Sequence, residues 1–537
     1  FRLKMLPTFR WSRCLAERGM LGRMTFQTCS IVRRIPLIVV LMAACSPTPD
    51  QVEDVAGDVG RPTPEFVRHQ PDLFTDVGAQ PNAWADYDND GDLDLFVGFR
   101  GRENRLYRND QGTFTDVAGS VGLATQAVPE AETRAAAWGD YDGDGDLDLY
   151  LGYTVASRAP VKDRLYRNDE GGARFVDVSQ VVGLDIEGAT RQPAFVDYDG
   201  DGDVDLFVAL RDQPNRLHRN DGGLFVDVTA ASGIGDPRRT VGAAWFDADE
   251  DGDLDVFVAN QNGDEDGFFQ NQGDGMFVDV AAEMGMHQPG RSDVQGSVGT
   301  AVADYDNDGD LDVFVASYGP DLIWENQRPE GGFQLRSVGT GLEGDHHSVS
   351  ADWGDMDNDG WLDLYVGVFL SGVPEAPDYL YRNLGDRSFH TVTPDLMVER
   401  GTSHGVAWAD FDQDGDLDLA LANNDPTGGT HHIYRNLSSE DVSARSLQVV
   451  LLDDQGRWTR AGSEVRVFDA ASGQLLGTRM IETGGGYSSQ GARPVHFGLP
   501  QGVELVDVEV TVLLDGPRSV TREDGIDPAA LVGRPLE

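Results

Sequence analysis

Asp86-Tyr-Asp-Asn-Asp-Gly-Asp-Leu-Asp94, followed at once by Leu95-Phe96-Val97, is the stretch on which the reading of this chain turns. Aspartates at the first, third, fifth and ninth positions bring short carboxylates toward one point. Gly91 at the sixth permits the sharp turn that also delivers the seventh residue's carbonyl. That is a donor set for a hard, oxygen-seeking cation. The loop occurs seven times, its first aspartates being Asp86, Asp140, Asp197, Asp247, Asp304, Asp355 and Asp410, at a mean spacing of 54 residues. Aspartate- and glycine-rich segments are commonly plain solvated turns. Seven copies with the same four aspartate positions and the same glycine argue for a ligand instead.

The ligand set this spacing predicts is Asp86, Asp88, Asp90, Asp92 and Asp94 in the first loop, and Asp140, Asp142, Asp144, Asp146 and Asp148 in the second. The third and fourth loops supply Asp197, Asp199, Asp201, Asp203 and Asp205, then Asp247, Asp249, Asp251, Asp253 and Asp255. The fifth supplies Asp304, Asp306, Asp308, Asp310 and Asp312, and the sixth Asp355, Asp357, Asp359, Trp361 and Asp363. The seventh supplies Asp410, Asp412, Asp414, Asp416 and Asp418. Trp361 belongs because the seventh position needs only its carbonyl. About seven structural Ca2+ ions are expected.

These loops are not EF-hands, which carry a bidentate Glu at the twelfth position and a helix on each side. Val97 stands at the twelfth position here, and each loop runs into a β-rich run such as Leu-Phe-Val or Leu-Tyr-Leu. Each repeat then holds four short apolar runs. One is exemplified by Ala83-Trp84-Ala85, one by Leu95-Phe-Val97, one by Asn104-Arg-Leu-Tyr-Arg-Asn109 and one by Phe114-Thr-Asp-Val117. Four strands at this period predict a propeller blade, hence an all-β, seven-bladed propeller over residues 64–438. Phe74-Thr-Asp-Val77 precedes the first blade, and His431–Asn436 lacks a fourth strand after it. Phe74–Val77 is therefore expected to complete the last blade and remove the open edges.

Acidic residues outnumber basic ones by 92 to 42, a formal charge of −50. Such a surface repels phosphate backbones and anionic lipid, which excludes nucleic acid as a natural partner. The cysteines are Cys14, Cys29 and Cys45, so no disulfide framework holds the repeats together. Residues 1–23 begin on Phe and show no usable pattern, as a fragment or an over-extended reading frame would. Residues 24–44 read as a secretory signal: Arg33 and Arg34, then Ile35–Ala44. That apolar core is too short to span a bilayer. Leu41-Met-Ala-Ala-Cys45 resembles a bacterial lipobox, with Cys45 as the lipidated residue and the sole membrane attachment. Residues 45–63 form a Pro/Asp/Gly-rich tether.

A small β-rich domain is expected over residues 446–525, with strands at Leu447–Leu452, Glu464–Phe468 and Leu505–Leu514. Gly484-Gly-Gly486 lacks a following helix or Lys and reads as a turn rather than a phosphate loop. Asn436-Leu-Ser438 fits a glycosylation sequon of little meaning in a bacterial lipoprotein.

The repeats resemble the FG-GAP/VCBS repeats of integrin α-chain propellers. The tail resembles the ASPIC/UnbV domain through Gly462-Ser-Glu-Val-Arg-Val467, Gly484-Gly-Gly-Tyr-Ser-Ser-Gln490 and His496-Phe-Gly-Leu499. Together they resemble the cartilage acidic protein family over about residues 64–515. That resemblance implies an extracellular calcium-binding protein with an adhesive or interaction role, its partner a protein or a glycan. A structural assembly factor with the tail as docking domain differs only in its ligand.

The competing class is a calcium-dependent hydrolase or lyase on the same scaffold. No Gly-x-Ser-x-Gly elbow or His-Glu-x-x-His pair supports it. His346, His347, His404, His431 and His432 gather in the last two repeats, and loop histidines of this kind are ordinarily solvated. The connections opposite the cation loops vary most, which is where binding usually resides. Arg134, Arg191 and His404 stand six residues before their loop's first aspartate, and Arg239 and His347 eight before. They are expected to form a basic, His-bearing patch at the channel mouth for an anionic ligand.

Overall fold

A computed structural model describes residues 62–537 except 158–160, 330, 345, 370–376, 399–401, 426–427, 454–455, 458–459, 488, 493, 514–517 and 537. The signal segment, Cys45 and nearly all of the tether lie outside the described residues. No helix among the described residues is long and apolar enough to cross a membrane.

The described residues form seven four-stranded antiparallel sheets of one pattern, then a tail domain. In the first blade the strands are Ala79–Ala85, Asp94–Phe99, Arg105–Asn109 and Phe114–Asp116, in that order from the axis outward. The two inner strands are buried along their whole length. This explains how apolar they are apart from Gln80, Asn82 and Asp94, since a neighbouring blade covers each face. Tryptophans two residues before the loops bridge blades. Trp84 Nε1 donates to the Ala407 carbonyl at 3.5 Å, Trp138 to Ala83 at 3.3 Å and Trp408 to Asp352 at 3.3 Å.

The ring closes as expected in kind, but through a different segment. Phe66–Arg68 pairs with His431–Asn436, Phe66 facing Asn436. That register matches the other blades, where Phe114 faces Asn109 and Phe225 faces Asn220. Phe74–Val77 forms no strand; Phe74 turns inward, 4.7 Å from the Tyr107 ring and 5.4 Å from His431. The reason is chain length. From a fourth-strand Phe to the next inner strand the other blades take 14 to 19 positions; Phe66 stands 13 before Ala79, and Phe74 only five. Five residues cannot return comfortably from the rim to the axis.

The tail builds a four-stranded sheet from Leu475–Met480, Glu464–Asp469, Val506–Val512 and Ser519–Ile526, in that order, beside the pair Ser446–Val449 and Val495–Gly498. Val465, Val467, Phe497 and Val508 lie in its core. Three of these strands sit where the alternation puts them. The other three, Leu475–Met480, Val495–Gly498 and Ser519–Ile526, carry no comparably apolar alternation.

Candidate metal centre

Each cation loop is shaped by its own carboxylates. The sixth-position glycine, at φ between +92° and +103°, donates its N–H to Oδ2 of the first aspartate in all seven loops, at 2.7–3.1 Å. A side chain at that φ would be strained. In the first loop Asp90 N–H donates to Asp86 Oδ1 and Asp92 N–H to Asp90 Oδ1, both at 3.0 Å.

The ninth aspartate ties loop to sheet. Asp94 Oδ1 accepts from Asn109 N–H at 2.7 Å, and its Oδ2 from Tyr87 N–H at 3.2 Å. The asparagine ending each third strand repeats the first of these bonds in every blade, at 2.7–2.9 Å. Its Nδ2 also reaches the second-position carbonyl of the preceding blade's loop. Asn109 reaches Phe411, Asn168 reaches Tyr87, and so around the ring to Asn436 on Met356, all at 2.7–3.0 Å. These seven asparagines stitch the loops into one belt. The Arg-Asn ending of the third strand, repeated through most of the sequence, was their signal.

Carboxylate oxygens of Asp86, Asp88 and Asp90 lie within 4.8 Å of one another, as do those of Asp140, Asp142 and Asp148, and equivalent sets in later loops. Burial, the largest influence, pushes Asp86 up to about 6, Asp197 to about 7 and Asp94 to about 9, and neighbouring carboxylates add to it. Asp88, Asp247 and Asp412 each keep a buried Oδ1 with no hydrogen-bond donor. Converging, half-desolvated carboxylates with open oxygens fit a hard divalent cation, whose charge removes the penalty of ionising them together. Seventh-position side chains turn away: Asp92 accepts from Gln111 N–H at 2.8 Å and Asp146 from Gly171 N–H at 3.0 Å. That position therefore offers its carbonyl, which suits Trp361 as well as aspartate.

Every inner strand also shifts register where it approaches the channel: at Arg134, Arg191, Val241 and Val349, and across Gln80–Pro81, Val298–Gly299 and His404–Gly405. Such irregularities re-aim side chains. Gln80, Arg134, Arg191, Val241, Val298, Val349 and His404 each stand six before a first aspartate. The channel is not empty. Gly484–Tyr487 and Ser489–Gln490 of the tail thread it, Gly486 and Thr300 exchanging backbone bonds at 2.8 and 2.9 Å. Gln490 N–H donates to the Asn82 carbonyl, its carbonyl accepts from Trp84 N–H, and its Oε1 accepts from Trp138 N–H at 2.7 Å. The Tyr487 ring packs on Val241, Val298 and Val349. Its hydroxyl accepts from Arg134 Nη2 at 2.5 Å, and its ring lies 5.3 Å from His404. Burial alone would raise the Tyr487 hydroxyl, but Arg134 and Arg191 beside it bring the net shift below the usual range.

The structure thus brings Arg134, Arg191 and His404 together, buried around Tyr487. Burial lowers His404 well below the ordinary imidazole range and Arg191 to about 10. Arg239 lies apart in an exposed pair with Asp264 at 2.9 Å, and His347 stacks on Tyr318. His346 meets Tyr379, His431 is buried against Phe74, and His432 lies by Tyr434. Gly484–Gly486, expected as a simple turn, is the backbone of the channel plug.

An FG-GAP-like repeat family matches residues 86–151, 197–258, 247–315, 304–366 and 368–421, more than half of the chain. The chain belongs to the FG-GAP-like repeat family. Within it, the relatives it resembles are cartilage acidic proteins. Cartilage acidic protein 1 of Mus musculus and of Homo sapiens are each 30% identical over 261 residues, 47% of this chain. The matched stretch spans 38% and 37% of those proteins' own lengths. Among solved structures, BBS1N in complex with ARL6DN superposes at a TM-score of 0.42 with 12% identity, over 69% of this chain and 96% of that one. The exotype rhamnogalacturonan lyase YesX superposes at 0.38 with 14% identity, over 70% and 75%.

Proposed function

We propose that this protein is an exported, calcium-stabilised propeller that serves as an interaction module for an extracellular protein or glycan, anchored through a lipid on Cys45. The observation that carries the reading is the sevenfold repetition of one carboxylate nest, each wired into the sheet by its ninth aspartate and the third-strand asparagine. Calcium there is structural: it neutralises Asp86, Asp88 and Asp90 and their counterparts, and holds the turn between the two inner strands. Sites of this type in extracellular modules bind at about 10⁻⁴ to 10⁻³ M, filled outside cells and empty within.

The ligand face is the one away from the tail, where the variable connections lie. Arg134 and Arg191 are turned to Tyr487 and shielded with it, so the contacts to a protein or glycan ligand fall to the variable connections themselves. No catalytic step is assigned. Metal analysis of the chelator-stripped, recalcified protein should return about seven ions, and a glycan and surface-protein screen should give binding that chelator abolishes. Two or fewer ions would overturn the calcium reading; calcium-independent binding would sever it from the interaction role.

A further inference from the structure

The tail sits on the face carrying the cation loops and meets them unevenly. In blade 4, Asp247 Oδ2 takes the Gly252 N–H and lies 3.7 Å from Arg518 Nη1, leaving its Oδ1 open. Arg466 pairs with Glu250 of that loop and donates to the Gly309 carbonyl of the next at 3.1 Å. In four other loops that link is made by the loop's own fourth residue: Asn89 donates to Gly145, Asn307 to Gly360, Asn358 to Gly415 and Gln413 to Gly91. Glu250 cannot donate, and the tail arginine replaces it. In blade 7, Gln448 Nε2 donates to Asp410 Oδ2 at 2.6 Å, beside the Gly415 N–H. In blade 6, Arg445 Nη1 donates to the Asn358 carbonyl of the loop at 2.6 Å and to the Leu499 carbonyl of the tail at 2.8 Å. A Cβ on Gly498 would come 2.0 Å from Asp355 Oδ2, so tail backbone rests directly on the sixth loop.

Among the described residues, the loops of blades 1 and 3 show no such bond, and the tail reaches the loop of blade 2 through Arg457 on the Gly143 carbonyl, at 3.5 Å. Among the same residues, the first aspartates Asp86, Asp140 and Asp197 take their hydrogen bonds from donors of their own loops.

We propose that the seven nests form two classes, four in blades 4–7 held from outside by the tail and three in blades 1–3 left to themselves, with Arg445, Gln448, Arg466 and Arg518 as positioning residues for the first class. This rests on the calcium reading above. Hydrogen bonds on Oδ2 fix the first carboxylate of these loops, and outer-shell partners of this kind alter metal affinity about 10–100-fold. The tail-held ions leave more slowly because their ligands cannot swing away without breaking contact with the tail.

The test uses the full chain, calcium-loaded and mixed in a stopped-flow instrument with excess fluorescent chelator. Two release phases are expected, with amplitudes near three fast to four slow and rates at least roughly tenfold apart. Arg518→Ala should move one ion, or all four tail-held ions together, into the fast phase at unchanged total calcium; Arg518→Lys should restore part of the slow phase. Gln448→Ala, a milder change in another blade, should do the same for its own ion. Failure of the calcium reading itself would appear as few bound ions in the wild type. Seven ions leaving in one phase, or variants that speed both phases alike, would overturn the two-class proposal alone.

Discussion

Closure of the ring by Phe66–Arg68 rather than Phe74–Val77 can be tested with two prolines. Val67 is exposed and faces Arg435 across the ladder. His69 N–H donates to the Ile433 carbonyl and Leu437 N–H to the Glu65 carbonyl, both at 2.8 Å. In an antiparallel pair closely bonded positions recur every second residue, so Val67 and Arg435 exchange the bonds between those two. Val67→Pro removes one donor and leaves the Arg435 carbonyl bare, at a cost of about 2–3 kcal/mol. Since 1.4 kcal/mol is tenfold, opening of the seventh blade should rise about 30–150-fold. Thr75 is exposed and in no strand, so Thr75→Pro should cost well under 1 kcal/mol. Hydrogen exchange of the peptide over residues 431–437 reads this locally, without requiring two-state unfolding of so large a chain. Protection there should fall in Val67→Pro and hold in Thr75→Pro. Equal losses, or a larger loss in Thr75→Pro, would refute the chain-length argument and return the closing strand to Phe74–Val77.

Without calcium, the loop carboxylates should invert the usual pH profile. Burial raises Asp86 to about 6 and Asp197 to about 7, above their unfolded values, so the stability they contribute is present in acid and is lost as pH rises through 6 to 7. Calcium competes with those protons, so the rise in melting temperature it produces should grow from pH 5 to pH 7.5; a constant or shrinking difference would count against the nests as its site. Asn220→Leu strips the Tyr141 and Val204 carbonyls of their buried donor and should cost about 3 kcal/mol, read from the shift in denaturant midpoint. Tyr487→Ala empties the valine seat and should cost about 3–5 kcal/mol of tail docking, seen as faster proteolysis of residues 446–537 in saturating calcium.

The cation loops were legible because their chemistry is local: five positions in nine residues, with one glycine whose backbone no other residue adopts easily. Asp94 and Gly91 announce themselves in any copy. Closure was misread because Phe66-Val-Arg68 lacks the aspartate that marks four of the other six fourth strands, while Phe74-Thr-Asp-Val77 has it. What distinguishes them is distance along the chain to Ala79, a geometric rather than a compositional fact. The convergence of Arg134, Arg191 and His404 was readable from their common offset. Their occupant was not, because Tyr487 reaches them from 83 to 353 residues away through a loop whose sequence describes an ordinary turn. Asn109 and its counterparts were visible as a repeated letter, but their bond to the preceding blade exists only once the ring is closed.

Seven near-copies of one unit offer a cap seven nearly equivalent ways to sit, and the tail has one. Turned by one blade, Arg466 and Arg518 would lose Glu250 and face either Gly200 or Asn307, neither of which carries a charge for them. Tyr487 would slide from Val241, Val298 and Val349 toward Arg191 on one side or His404 on the other. The orientation of the molecule is therefore written in its departures from the repeat. Blades that evolution or an engineer made more alike would keep their carboxylate nests and leave the tail without an address.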